Sequence, residues 1–144
     1  MPDENTTRKA PTSEDIRQIV IGNTAHVRVI MNRPHRELAT LAGQLSLNER
    51  TVKADAVKRV LEDLRNGEIP PEQAQPWASF LRYGYLPGSA DPTESVHPID
   101  FPYETNCEDA IAEAISRMEE LGDLIDGTLE RNEIQSLLEQ LSSK

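Results

Sequence analysis

The chain of 144 residues and 16.1 kDa suffices for one domain with a substantial core and is short for two. It is 37% hydrophobic and 28% charged but only 4% aromatic, which fits a globular fold with an aliphatic core and excludes collagen-like or linker compositions. A formal charge of −10 argues against a nonspecific nucleic-acid or anionic-membrane binder; with no apolar run near the ~18 residues of a membrane span and no signal-peptide stretch, a cytoplasmic protein is expected.

Met1–Pro11 is polar and reads as a disordered tail, leaving a flexible segment 1–12 ahead of one helical domain over 13–144. Ser13, followed by Glu14 and Asp15, looks like a helix start, and Ile16, Ile19, Val20, Val27, Ile30 and Met31 recur at helical spacing. Gly22-Asn23 interrupts them, so a broken helix is favoured; the rival is a hairpin over 19–30, because β-branched residues flank a Gly-Asn turn signal. Pro34 suits a first helical turn, and Glu37–Ala42 reads as a short helix ending at Gly43. Ser46-Leu47-Asn48-Glu49 is a capping box, Val57, Val60, Leu61 and Leu64 form an apolar stripe after it, and Asn66-Gly67 is a stop.

Pro70-Pro71-Glu72 opens a further helix with Ala74, Trp77, Ala78 and Leu81 as its expected buried face, either beginning late or kinked at Pro76. Gly84–Thr105, with Pro87, Pro92, Pro98 and Pro102, reads as a long extended crossover. Asn106 then stands as the cap of a strongly periodic segment: Ile111, Ile115, Met118, Gly122 and Ile125, widened by Ala114 and Leu121, up to Gly127. Ile134, Leu137, Leu138 and Leu141 stripe a last helix. The expected fold is all-α: a five- to six-helix bundle or orthogonal array with one long Pro-rich crossover.

Two helix exits share a pattern, Asp63-Leu64-Arg65-Asn66-Gly67-Glu68-Ile69 and Asp123-Leu124-Ile125-Asp126-Gly127-Thr128-Leu129, each suited to a left-handed helix terminus. Neither is a calcium loop. Gly122 and Leu124 stand where the first and third ligands would fall in one copy, and Leu64 and Gln73 stand at the third and last positions of the other.

Catalytic chemistry finds little support. His26, His35 and His97 lack metal-ligand spacing, no nucleophile-elbow or phosphate-loop pattern occurs, and the lone Cys107 has no base beside it. Glu119 and Glu120 project about 100° apart on a helix and do not converge. A non-enzymatic protein without metal or cofactor is expected. Residues 38–59 resemble a helix-turn-helix at a glance, with Ala39 four residues before Gly43; Glu49, however, occupies the next apolar anchor position, and Glu49, Asp55, Glu62 and Asp63 interleave with Arg50, Lys53, Lys58 and Arg59. A DNA-binding regulator is therefore the alternative reading, and an uncharacterised helical homodimer the third.

Charge is the strongest functional signal. Residues 1–85 hold 12 Lys and Arg against 11 Asp and Glu, whereas residues 86–144 hold 3 against 14, a net of −11. Such a field draws a basic partner and raises its association rate. On the expected helix from Asn106, Asp109, Glu113 and Glu120 share a side, and Glu119 and Asp123 extend it. Trp77 and Phe80 read as core, while Tyr83 and Tyr85, flanking Gly84, are either core or interface anchors.

Val57–Tyr85 runs as an apolar helix, a Gly67-Glu68-Ile69 corner, then a helix carrying aromatics and Arg82. With the acidic helical segment after Asn106, this layout resembles the colicin D-type, self-protective colicin-like immunity proteins, over about half of the chain. The resemblance implies a small helical bundle that inhibits a tRNA-cleaving toxin by presenting acidic side chains to its basic active site. It agrees with the charge argument in pointing to a basic, nuclease-type protein partner.

Overall fold

The computed structural model describes residues 11–31, 33–85, 98–120 and 131–142. Of the expected flexible segment 1–12, residues 1–10 lie outside the described residues, while Pro11 is buried and Thr12 caps the first helix; Pro87 and Pro92 of the crossover, the Gly127 corner and Asp123 also lie outside them. Among the described residues the chain forms eight α-helices and one 3-10 turn, and no strand. The all-α expectation holds. Eight helices exceed the five or six expected, because two of them are single turns.

Helix α1 spans Ser13–Val20, and its cap is Thr12 rather than Ser13: the Thr12 N–H donates to the Asp15 carboxylate at 2.8 Å. No hairpin follows. Gly22 is left-handed, a 3-10 turn covers Thr24–His26, and α2 is the single turn Val27–Ile30, so Ile19, Val27 and Ile30 all reach the core on helical backbone. Helix α3 spans His35–Gly43, with Pro34 as its N-cap.

The Ser46 capping box forms, but on a helix of one turn, α4 (Leu47–Arg50). Val52 is what interrupts the expected long helix. Its N–H donates to the Pro102 carbonyl at 2.7 Å, its own carbonyl accepts from Glu104 N–H at 2.8 Å, and its side chain is fully buried. The Glu104 carboxylate then accepts the Ala54 N–H at 2.9 Å and caps α5 (Ala54–Arg65) from fifty residues away. The β-branched pair Thr51-Val52 favours this extended crossing.

Helix α5 ends as the sequence predicts. Glu68 N–H donates to the Asp63 carbonyl at 2.8 Å and Gly67 N–H to the Leu64 carbonyl at 3.2 Å, with Gly67 at φ +75°. This is a Schellman terminus. A Cβ on Gly67 would meet nothing within 4 Å, so Gly67→Ala should cost only the left-handed backbone penalty, about 1 kcal/mol by chemical denaturation.

Helix α6 (Pro71–Tyr83) runs unbroken through Pro76, and the predicted face of Ala74, Trp77, Ala78 and Leu81 is buried together with Ser79 and Phe80. The donor missing at Pro76 would have faced the carbonyl of Glu72, an exposed residue, where water can serve instead. Helix α7 (Glu108–Glu119) is capped by Cys107, not Asn106. Asn106 instead takes φ +80° within the turn closed by Cys107 N–H to the Glu104 carbonyl. Helix α8 spans Arg131–Ser142, and Ile134, Leu137, Leu138 and Leu141 are all buried, as expected.

The most extensive seam joins α6 to α7; α8 packs on α5 and α7, and α1 is surrounded by the 3-10 turn, α2, α3 and α4. One continuous core runs from Ile16 to Leu141. Among the described residues no helix is long and apolar enough to cross a membrane.

Candidate functional site

Helix α7 buries Ile111, Ala114, Ile115 and Met118 and turns Glu108, Asp109, Ala112 and Glu113 to solvent. The apolar spacing of i, i+3, i+4 and i+7 dictates this division. Among the described residues, no side-chain hydrogen bond or ion pair engages Glu108, Asp109 or Glu113. Two of these three carboxylates are the residues charge patterning selects. Glu108 belongs with them by its place beside Asp109, a signal the i, i+4 count passes over.

The other acidic candidates are occupied. Glu119 accepts from Arg82 Nη1 at 2.6 Å and from the Tyr83 hydroxyl at 3.0 Å, which ties α6 to α7. The Arg82 guanidinium also lies 5.1 Å from the centre of the Tyr83 ring. Tyr85 follows at 6.3 Å from Tyr83 and meets His35 edge-on at 6.2 Å. Tyr83, Tyr85 and Glu119 are thus brought together at the end of the α6–α7 seam. Tyr83 is 39% exposed, and loss of water around the ring together with the Glu119 bond pushes its phenol above its ordinary value, so it remains a donor.

Glu120 lies just past the end of α7 and pairs with Arg117, which also holds Glu133 of α8, with Arg117 Nη2 at 2.8 Å from Glu133 Oε1. The Arg117 bonds hold Glu133 below its ordinary carboxylate value. A lowered carboxylate contributes stability that is complete above the ordinary value of 4.5 and is lost as pH falls through the lowered one. Glu133→Gln should therefore destabilise by roughly 0.5–1 kcal/mol at pH 7 and flatten the acid limb of thermal stability. Equal acid sensitivity in the variant and the parent would refute this assignment.

The region 38–59, the alternative helix-turn-helix candidate, contains α3 followed by a short second helix. Its second helix, α4, is one turn long, and the chain is extended from Thr51. Arg50 Nη1 donates to the Asp100 carbonyl at 2.8 Å, and Lys58 reaches Ser142 Oγ at 3.4 Å. With Arg59 Nη1 donating to the Ile21 carbonyl at 3.5 Å, three of the four cations thus hold distant backbone and side-chain groups. His26 Nδ1 lies 2.9 Å from Asp15, and Cys107 is half-buried in a shallow depression with Asp109 and Gln140. Among the described residues no group of three His, Cys, Asp or Glu side chains is arranged to hold a metal ion. Comparison with protein families, with curated proteins and with solved structures gives no match.

Proposed function

We propose that this chain is a non-enzymatic helical binding protein that neutralises a basic, nuclease-type protein, in the manner of an immunity protein or inhibitor. The observation that carries the reading is the exposed Glu108, Asp109 and Glu113 ridge on α7, within a segment of net charge −11. Carboxylates without an internal cation keep their full field for a partner, whereas Glu119 and Glu120 share theirs with Arg82 and Arg117. Tyr83 and Tyr85 supply an amphipathic anchor beside the paired carboxylates, with apolar ring faces to bury and hydroxyls that can stay hydrogen-bonded.

The test is binding to a basic nuclease-type domain, sought first in the product of the adjacent reading frame. Its association rate should fall steeply as salt rises, because the attraction acts over distances comparable to the Debye length of ~8–10 Å. Joint reversal of Glu108, Asp109 and Glu113 to lysine should abolish binding with the helical spectrum intact, since all three face water. Duplex DNA binding at physiological salt that depends on Arg50 and Lys53 would favour the regulator reading instead. A triple reversal that leaves partner binding unchanged would sink the proposal.

A further inference from the structure

On the opposite half of the chain, the C-terminal turn of α1, the single turn α4 and the first turn of α5 enclose a cleft of about 410 Å³. That volume falls within the ~300–1,000 Å³ of small-molecule sites. Val20, Ile21 and Ala56 line it, Ile21 being 40% exposed and Val20 and Ala56 buried beneath it. Arg17, Lys53 and Arg59 stand around it with Glu49 and Asp55.

The charges around the cleft are not equivalent. Arg17 is held by a bidentate pair with Glu14, at 2.9 and 2.6 Å. The Glu49 carboxylate is turned to the Ser46 N–H in the capping box, and Asp55 is 97% exposed and leans toward Lys58. Lys53 and Arg59 remain: among the described residues neither pairs with a carboxylate, and Arg59 makes only a 3.5 Å contact with the Ile21 carbonyl. Lys53 is also the N-cap residue of the twelve-residue helix α5; because the Glu104 carboxylate already accepts the Ala54 N–H at that helix end, the positive potential at the cleft rests on the Lys53 and Arg59 side chains. An apolar surface beside two cations that no carboxylate neutralises among the described residues is complementary to an apolar body carrying one anionic group.

We propose that this cleft is a binding site for a small organic monoanion with an aliphatic or aromatic body, held by Lys53 and Arg59 over Val20, Ile21 and Ala56. Nothing in this assignment depends on the acidic surface of α7.

The probe is 8-anilinonaphthalene-1-sulfonate, titrated by fluorescence into the full chain and then displaced with sodium octanoate or 1-octanol. Saturable single-site binding is expected, with octanoate displacing the probe far more effectively than the neutral alcohol. The joint variant Lys53→Gln, Arg59→Gln should weaken octanoate binding about tenfold, the scale of losing two partly exposed charge-assisted contacts, with thermal unfolding unchanged. Should that variant misfold, Ile21→Asp, at an exposed position, serves in its place and should weaken the probe and octanoate alike. Lack of saturable binding, equal displacement by octanol, or unchanged affinity in the folded variants would each overturn the assignment.

Discussion

Gly84→Ala is expected to destabilise the fold by about 3 kcal/mol or more, well above the ~1 kcal/mol expected at Gly67. The two glycines have nearly the same backbone, φ +78° and +75°, so the left-handed penalty is common to both. Their surroundings differ. A Cβ on Gly84 would stand 2.5 Å from the Ile99 carbonyl oxygen, 2.7 Å from the Ile99 nitrogen and 2.8 Å from Pro98 Cβ. Backbone cannot rotate away as a flexible side chain would. To relieve the clash, the chain at 98–99 must retreat, which breaks the 2.9 Å bond from Ile99 N–H to the Gly84 carbonyl and draws Phe101 away from Phe80, at 5.2 Å between ring centres. Against a total stability of ~5–15 kcal/mol, that loss is severe. Urea denaturation followed by circular dichroism checks it, with Gly67→Ala as the internal reference. Equal losses at the two sites would mean that the close approach carries no energy.

The contrast between these glycines also shows what sequence can and cannot convey. Gly67 is legible because everything its conformation needs lies within six residues: a helix, a polar residue, glycine and a branched apolar side chain. Gly84 adopts the same φ, but the reason for glycine there is Ile99, fifteen positions away, and local pattern holds no trace of it. The same distinction explains the helices. Within the described residues the stripes of α5, α6, α7 and α8 match the buried faces, with Leu64 of α5 half-buried, since periodicity is a local property; Leu121, Gly122 and Ile125 of the third stripe lie outside those residues. The break at Val52 escapes prediction because its hydrogen-bond partners, Pro102 and Glu104, lie about fifty residues on. Thr12 displaces Ser13 as a cap, and Cys107, which makes no side-chain capping bond, displaces Asn106, each by a single position, within the spread of about one or two residues usual at helix ends.

For the candidate surface, sequence identifies the sign of the charge and the solvent face of α7, and it cannot distribute the counter-ions. Glu119 and Glu113 look alike along the helix. Glu119 meets Arg82 from a different helix and Glu113 meets no cation among the described residues. Arg117 with Glu120 is an i, i+3 pair that spacing alone suggests, whereas Arg117 with Glu133 requires α8 to fold back on α7. Which carboxylates remain available to a partner is thus decided by tertiary packing.

Trp77 joins α6 to α1 through both its buried ring and a hydrogen bond. It is the only tryptophan, it is fully buried, and its Nε1–H donates to the Ile19 carbonyl at 2.7 Å, joining α6 to the last turn of α1. Trp77→Ala is expected to cost about 3–5 kcal/mol through lost burial and the cavity left behind, enough to bring a domain of ordinary stability close to unfolding. Trp77→Phe separates the contributions. It retains an aromatic ring and removes the donor and part of the volume; Gly22 N–H still reaches the Ile19 carbonyl at 3.0 Å, so that oxygen is not left bare. A loss of roughly 1–3 kcal/mol follows, smaller than that for alanine. Because the variants lose the fluorophore, unfolding is read by circular dichroism, while the parent's indole emission should be blue-shifted when folded and move to the red as urea exposes Trp77. A native emission already at the solvent-exposed wavelength, or an alanine variant as stable as the parent, would contradict a core built around this indole.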